Sequence, residues 1–67
     1  MQFSARNKIP GTVKDVHMGA VMAIVKIQVG DNVLESAITK ESVEEMKLKP
    51  GDKVMAVVKA TSIMVMK

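Results

Sequence analysis

The sequence predicts an all-β fold, a small five-stranded antiparallel barrel with one short helix. β-branched residues are abundant, with 11 Val, 5 Ile and 3 Thr among 67 residues. They occur in short runs separated by Gly, Pro, Asn and Asp, a pattern typical of strands joined by turns. One segment before the last strand has helical spacing instead. Residues 1–67 are expected to form a single domain, because a chain this short has no room for a second core.

The first two strands are expected at residues 2–7 and 12–17. Between them, Pro10 and Gly11 predict a bend or an edge, because Pro10 has no N–H to donate to a strand ladder. In the second strand, Val13 is expected on the face opposite to its polar neighbours. The chain therefore reaches its first turn after two short extended segments.

Met18 and Gly19 indicate a tight turn before the third strand, residues 20–29, which has the clearest alternation of the chain. Residues 30–32, with the sequence Gly-Asp-Asn, predict a hairpin turn, since Gly and Asn tolerate positive φ. The fourth strand is expected at residues 33–38. One face of the third strand is expected to hold every second residue: Val21, Ala23, Val25, Ile27 and Val29.

The spacing changes at residues 39–46, which predict one short helix. Thr39 can cap the first turn with its hydroxyl, and Glu41 lies where the helix dipole favours a negative charge. Val43 and Met46 are three residues apart and share a face. Only this face of the helix is expected to pack against the rest of the domain.

Residues 49–52, with the sequence Lys-Pro-Gly-Asp, indicate a strong turn. The fifth strand is expected at residues 53–67, with a break near Thr61 and Ser62. A helix placed between the third or fourth strand and the last is the order of a small OB-type barrel.

Self-association is expected from the size and the strand pattern. The chain has no cysteine, which excludes disulfides, thiolate metal sites and cysteine nucleophiles. Domains this short usually need disulfides, a metal or partner subunits for stability. The strands that contain Ala20 and Val54 are apolar on both faces, whereas an antiparallel sheet normally leaves one face polar. The second face is therefore expected to meet another copy.

Catalysis and metal ligation find little support. His17 is the only histidine, and no sequence neighbour makes it part of a catalytic triad. Glu41, Glu44 and Glu45 are interpreted as the solvated face of the helix, and they form no metal-ligand pattern. No glycine-rich phosphate motif occurs. The protein is not expected to be an enzyme or to ligate a metal directly.

Net charge is +3, and Phe3 is the only aromatic residue. A nucleic-acid surface normally combines a basic groove with aromatic stacking platforms, so no nucleic acid is expected as a partner. No run approaches the roughly 20 apolar residues of a membrane span. The N-terminal residues lack the order of a signal peptide. We expect a cytoplasmic protein without a membrane partner.

Two polar segments interrupt the apolar strands near the two ends of the chain. The first combines a hydroxyl, a guanidinium and an amide, and the second combines a cation with two hydroxyls. A tetrahedral oxyanion accepts hydrogen bonds only and is best held by such donors. The segments are interpreted either as solvent-exposed strand ends or as parts of an oxyanion site. They are Ser4-Ala5-Arg6-Asn7 and Lys59-Ala60-Thr61-Ser62.

The sequence resembles the molbindins, small molybdate-binding proteins also called molybdenum-pterin-binding proteins and built from one Mop-type (TOBE) domain. The resemblance covers essentially the whole chain. The matching residues are Ser4-Ala5-Arg6-Asn7, Gly11, Ala37-Ile38-Thr39, Glu41-Ser42-Val43-Glu44-Glu45, Leu48-Lys49-Pro50-Gly51, Ala56-Val57-Val58-Lys59-Ala60-Thr61 and Met64.

This resemblance implies an OB-like barrel that assembles into a homo-hexamer, a trimer of dimers. It also implies molybdate, and tungstate as well, as ligands bound between subunits for cytoplasmic storage and homeostasis, without catalysis. A first oxyanion site is implied at Ser4, Ala5, Arg6 and Asn7 of one subunit with Lys59, Ala60 and Thr61 of a neighbour. A second is implied at Gly19, Ala20, Ser36, Ile38, Thr39 and Lys40.

Two functions of other classes remain open from the residues alone. One is an OB-type nucleic-acid-binding module, which would retard single-stranded oligonucleotides in a gel. The other is a purely structural oligomerisation module, whose melting temperature would not respond to molybdate.

Overall fold

The computed structural model describes residues 5–67. They form one antiparallel sheet, with one α-helix and one 3₁₀ turn. The sheet order is β3-β2-β1-β4. The all-β class with one short helix is thus confirmed. The elements are β1 (Asn7–Met18), β2 (Met22–Val29), β3 (Asn32–Thr39), α1 (Lys40–Met46), β4 (Lys53–Val58) and the 3₁₀ turn (Ala60–Ser62).

Strand β1 is shared between two partners. Its first half, up to Thr12, pairs with β4, and its second half, from Thr12 onward, pairs with β2. Of the bend or edge predicted at Pro10 and Gly11, the edge is confirmed and the bend is wrong, because Pro10 pairs with Met55 inside a continuous strand. Pro10 lies where β1 has a strand on one side only, an edge position in which proline is tolerated. The described residues accordingly hold four strands, and half of the first predicted strand, residues 2–7, lies outside them.

Gly11 marks the place where β1 crosses from one partner to the other. A Cβ atom at this position would lie 2.6 Å from Ile27 Cγ2 and 2.9 Å from the Gln28 carbonyl oxygen. Any side chain would therefore collide with β2. Glycine is required here because of this close backbone approach.

The hairpin between β2 and β3 confirms the predicted turn. Gly30 adopts a φ of 58°, and Val29 pairs directly with Asn32. The residue-by-residue alternation is also confirmed for the middle of β2. Val21 is the exception, since it precedes the strand and is 71% exposed. The buried core consists of Val13, Ala23, Val25, Ile27 and Val43.

Helix α1 begins as predicted. The Thr39 side chain caps it by accepting a hydrogen bond from the Ser42 N–H at 3.1 Å. Val43 is the buried residue of the helix. The helix ends at Lys47, which adopts the left-handed conformation with a φ of 53°, and the Leu48 N–H then donates to the Val43 carbonyl oxygen. This closure is typical of helix C-termini, where the left-handed position usually holds glycine.

Strand β4 is shorter than predicted, because it ends at Val58 and the 3₁₀ turn follows at the predicted break. Residues 63–67 form no regular element. Met64 and Met66 are 92% and 95% exposed. The predicted strand character of this tail is absent because no strand lies beside it in the described part of the chain, and a strand needs a partner for its backbone groups.

The sheet is open along its two outer strands, β3 and β4. An apolar cavity of about 450 Å³ lies between them, with Leu34 and Ile38 on one side and Val54 and Ala56 on the other. The seven-residue α1 is the longest helix among residues 5–67, and none there is long and apolar enough to cross a membrane.

Candidate functional site

The two polar segments predicted from sequence meet at one end of the sheet. Asn7 begins β1 and pairs with Val58, which ends β4. The Asn7 Nδ2 atom donates a hydrogen bond to the Val58 carbonyl oxygen at 3.2 Å. Arg6 directly precedes this pair and Lys59 directly follows it, and both are exposed. Ser4 lies outside the described residues.

Lys59 leaves β4 in an extended conformation and starts a compact turn. The Ser62 N–H donates to the Lys59 carbonyl oxygen at 2.9 Å. Ala60 and Thr61, inside the turn, are exposed. Within residues 5–67, the ion pairs involve other cations, and neither Arg6 nor Lys59 has a carboxylate partner. Two cations and a hydroxyl thus lie within three residues along the chain of the paired strand end Asn7–Val58, a set of donors that suits an anion.

The resemblance implied that these segments come from different subunits. Within a single chain, Arg6 and Asn7 already lie beside Lys59, because β1 and β4 are antiparallel neighbours. Sequence spacing could not reveal this, since Asn7 and Val58 are 51 positions apart. Whether one site also takes residues from a second copy stays a prediction.

Most residues of the second predicted site also lie close together. They lie at the end of the sheet opposite to Asn7 and Val58, where β3 ends. The Lys40 N–H donates to the Val21 carbonyl oxygen at 2.8 Å, which places Lys40 and Thr39 beside the loop of Gly19 and Ala20. Two further members of the predicted site lie earlier in β3, where they line the apolar cavity: Ser36 and Ile38. The second set is therefore split between a loop end and a cavity wall.

Thr39 has another role in this structure. Its hydroxyl accepts from the Ser42 N–H and donates to Ser42 Oγ at 2.8 Å. The sequence predicted the Thr39 cap but not the hydrogen bond between the Thr39 and Ser42 hydroxyls. Ser42 lies at the third position after the cap, where side chains that pair with the capping residue occur. The hydroxyl of Thr39 is thus engaged in holding the helix, and its predicted contact with a ligand stays a prediction.

The remaining reactive side chains form surface contacts. His17 Nε2 lies 2.7 Å from Asp15 Oδ2, with the His17 side chain largely exposed and the Asp15 side chain about half exposed. Within residues 5–67, no three His, Asp or Glu side chains come together as a metal site. The acidic residues of α1 are exposed, as the solvated face predicted: Glu41, Glu44 and Glu45.

Fold and site together define a small antiparallel β domain that carries cations and a hydroxyl at one end of its sheet. The family model of the TOBE domain matches residues 4–65. A probable molybdenum-pterin-binding protein of Haemophilus influenzae is 44% identical over 66 residues, which cover 97% of this chain and 96% of the relative. The chain belongs to the TOBE domain family, and within it to the molybdenum-pterin-binding proteins.

Solved structures agree with this assignment. A molybdate-binding protein from Sporomusa ovata superposes with a TM-score of 0.94 at 46% identity, and the match covers all of both chains. The cytoplasmic molybdate-binding protein ModG, determined with molybdate bound, gives a TM-score of 0.82 at 44% identity. That match covers 90% of this chain and 43% of ModG. The predicted resemblance and the predicted fold class are both confirmed.

Proposed function

We propose that this single-domain protein binds molybdate, and tungstate as well, at a site shared between copies, and that it serves storage and homeostasis of the anion in the cytoplasm. No bond is made or broken in the ligand. The observation that carries the proposal is the meeting of Arg6 and Asn7 with Lys59 at one sheet end. The names of its relatives and structural neighbours, which include the cytoplasmic ModG, support molybdate as the anion.

The donor set explains why an oxyanion is preferred. Molybdate is a tetrahedral dianion whose oxygens accept hydrogen bonds, and Lys59 and Arg6 supply charged donors while Thr61 supplies a hydroxyl. Phosphate retains a proton near neutral pH that needs an acceptor, so a site of donors disfavours it. Sulfate has no such proton but is smaller. Cavity size is therefore the feature expected to select molybdate and tungstate over sulfate.

The exposure of the donors supports a site shared between copies. Lys59, Ala60 and Thr61 are all exposed in the single chain, and charged hydrogen bonds in water are weak because solvent screens them. A second copy that covers this sheet end would exclude water and strengthen every contact with the anion. We propose that the copies form a hexamer, arranged as a trimer of dimers.

Several apolar surfaces support self-association. The tail of residues 63–67 is exposed, and its methionines have no packing partner in the described chain. The cavity between β3 and β4 is open and apolar. Met22 and Ile24 are also partly exposed, on the sheet face opposite the core. Exposed apolar surface of this extent is typical of protein interfaces.

Calorimetric titration tests the proposed ligand. Molybdate, sulfate and phosphate are titrated into the protein at equal concentrations, and molybdate should bind most tightly. Lys59→Ala should weaken molybdate binding about 10- to 100-fold, the usual value of a hydrogen bond to a charged group. Lys53→Ala removes the same charge at the far end of β4 and should leave the affinity unchanged.

Equal affinity for molybdate and sulfate would contradict selection by size. If both lysine variants bind like the wild type, Lys59 is not at the site. A purely structural module makes a different prediction, namely a melting temperature that molybdate does not raise. A binding protein should gain about 2.7 kcal/mol of stability at a free ligand concentration of 100 times Kd.

A further inference from the structure

One side-chain hydrogen bond joins the two polar segments. Among the side-chain hydrogen bonds of residues 5–67, the bond from Asn7 Nδ2 to the Val58 carbonyl oxygen is the one that links β1 to β4. It connects positions 51 apart in sequence. Asn7 is half-buried, whereas its neighbours Arg6 and Lys8 are exposed. The hydrogen bond therefore directs the half-buried Asn7 amide at β4.

The acceptor lies one residue before the proposed anion donors. Val58 is the last residue of β4, and Lys59 begins the turn that the Ser62 N–H closes. The Asn7–Val58 pair is also the last in the β1–β4 register. Strand ends open most readily, because fewer bonds hold them. The Asn7 amide adds a hydrogen bond at this strand end, next to the Lys59–Ser62 turn, where the strands would otherwise separate most readily.

We infer that Asn7 is a positioning residue: its amide holds the Lys59–Ser62 turn against Arg6 and acts on the anion through that turn. The inference rests on the proposed function and changes the role that the resemblance implied for Asn7. The amide oxygen of Asn7 cannot bond a fully deprotonated oxyanion, since both are acceptors. The side-chain amide has two N–H donors, and one of them already donates to the Val58 carbonyl oxygen.

The positioning role predicts an effect that is present before any anion is added. In Asn7→Ala, the amide resonances of Ala60, Thr61 and Ser62 should shift in the ligand-free protein, and their hydrogen exchange should become faster. Molybdate affinity should fall about three- to tenfold, as expected when one neutral hydrogen bond is lost. Asn7→Gln keeps the amide one methylene further out and should recover part of both effects. If Asn7→Ala does not fold, Asn7→Gln takes its place, with smaller changes in the same direction.

Gln28→Ala provides a matched control. Gln28 Nε2 also donates to a backbone carbonyl, that of Gly30, at 2.6 Å in the β2–β3 hairpin. Loss of this amide should disturb the hairpin resonances and leave both the 60–62 resonances and the molybdate affinity unchanged. Backbone NMR of the ligand-free full chain and calorimetric titration with sodium molybdate measure the two effects separately.

Two results would overturn the inference. In the first, Asn7→Ala weakens molybdate binding but leaves the ligand-free resonances of 60–62 in place, so that Asn7 contacts the anion directly. In the second, neither the resonances nor the affinity changes. A wild-type protein that binds no molybdate would instead overturn the proposed function, and the ligand-free resonances would still decide whether Asn7 holds the turn.

Discussion

Replacement of Gly11 by alanine tests the strand crossing that brings the two polar segments together. The new Cβ would lie 2.6 Å from Ile27 Cγ2, 2.9 Å from the Gln28 carbonyl oxygen and 3.1 Å from Val29 Cγ2. Carbon atoms in protein cores are in contact at about 3.5–4.0 Å, so the first contact is about 1 Å too short. The second involves backbone, which cannot move without disturbing the β1–β2 ladder.

The expected loss of stability follows from two opposing terms. Overpacking of this kind costs about 1–3 kcal/mol. A Gly to Ala change returns about 0.4–1 kcal/mol by restricting the unfolded chain. The net destabilisation should be about 1–2 kcal/mol, which for a domain of this size lowers Tm by about 5–15 °C.

Urea unfolding followed by far-ultraviolet circular dichroism measures this change, since the chain has no Trp or Tyr for fluorescence. Protein concentration must be equal for all variants, because association contributes to stability. Ile27→Leu removes the branch at Cβ while conserving volume. Combined with Gly11→Ala, it should recover part of the loss, because the contact with the Gln28 carbonyl remains. A Gly11→Ala variant as stable as the wild type would refute the close approach.

Three further changes test the helix and the tail. Thr39→Ala should destabilise the protein by about 1 kcal/mol in urea unfolding, because the cap on the Ser42 N–H is lost. Thr39→Ser should be close to the wild type, and equal stability of the Ala and Ser variants would contradict a stabilising cap. Lys47→Gly should raise stability by about 0.5–1 kcal/mol, because glycine adopts the left-handed conformation without strain, and a loss would contradict this. Deletion of residues 63–67 should lower the number of subunits per oligomer, as measured by light scattering, and keep the β-sheet circular dichroism spectrum. An unchanged number of subunits would exclude the tail from the interface.

Local signals predicted much of the fold. Thr39 marked the helix start by its hydroxyl, and Gly30 marked the hairpin by its tolerance of positive φ. Both depend on neighbours within a few positions, which a sequence displays directly. At Pro10 the sequence left a bend and an edge open, and the edge is observed; the effect of this proline depends on how many strands lie beside it. That number is set by pairing between distant segments.

The candidate site shows the same division. Chemistry identified Arg6 and Lys59, since few side chains combine positive charge with a position near a strand end. Their proximity depends on the antiparallel register in which Asn7 faces Val58, and register follows from the packing of the whole sheet. The engagement of the Asn7 amide could not be predicted for that reason. The tail beyond Ser62 was predicted as strand from its apolar residues, but strand formation also needs a neighbour.

Native mass spectrometry of the protein, titrated with sodium molybdate, tests the central claim most directly. It resolves the oligomer and the number of bound anions in one spectrum. We expect molybdate on a hexamer, or on the dimers that compose it, and none on the monomer, because the anion is enclosed between copies. Molybdate retained by the monomer, or an oligomer that takes up no molybdate, would contradict it.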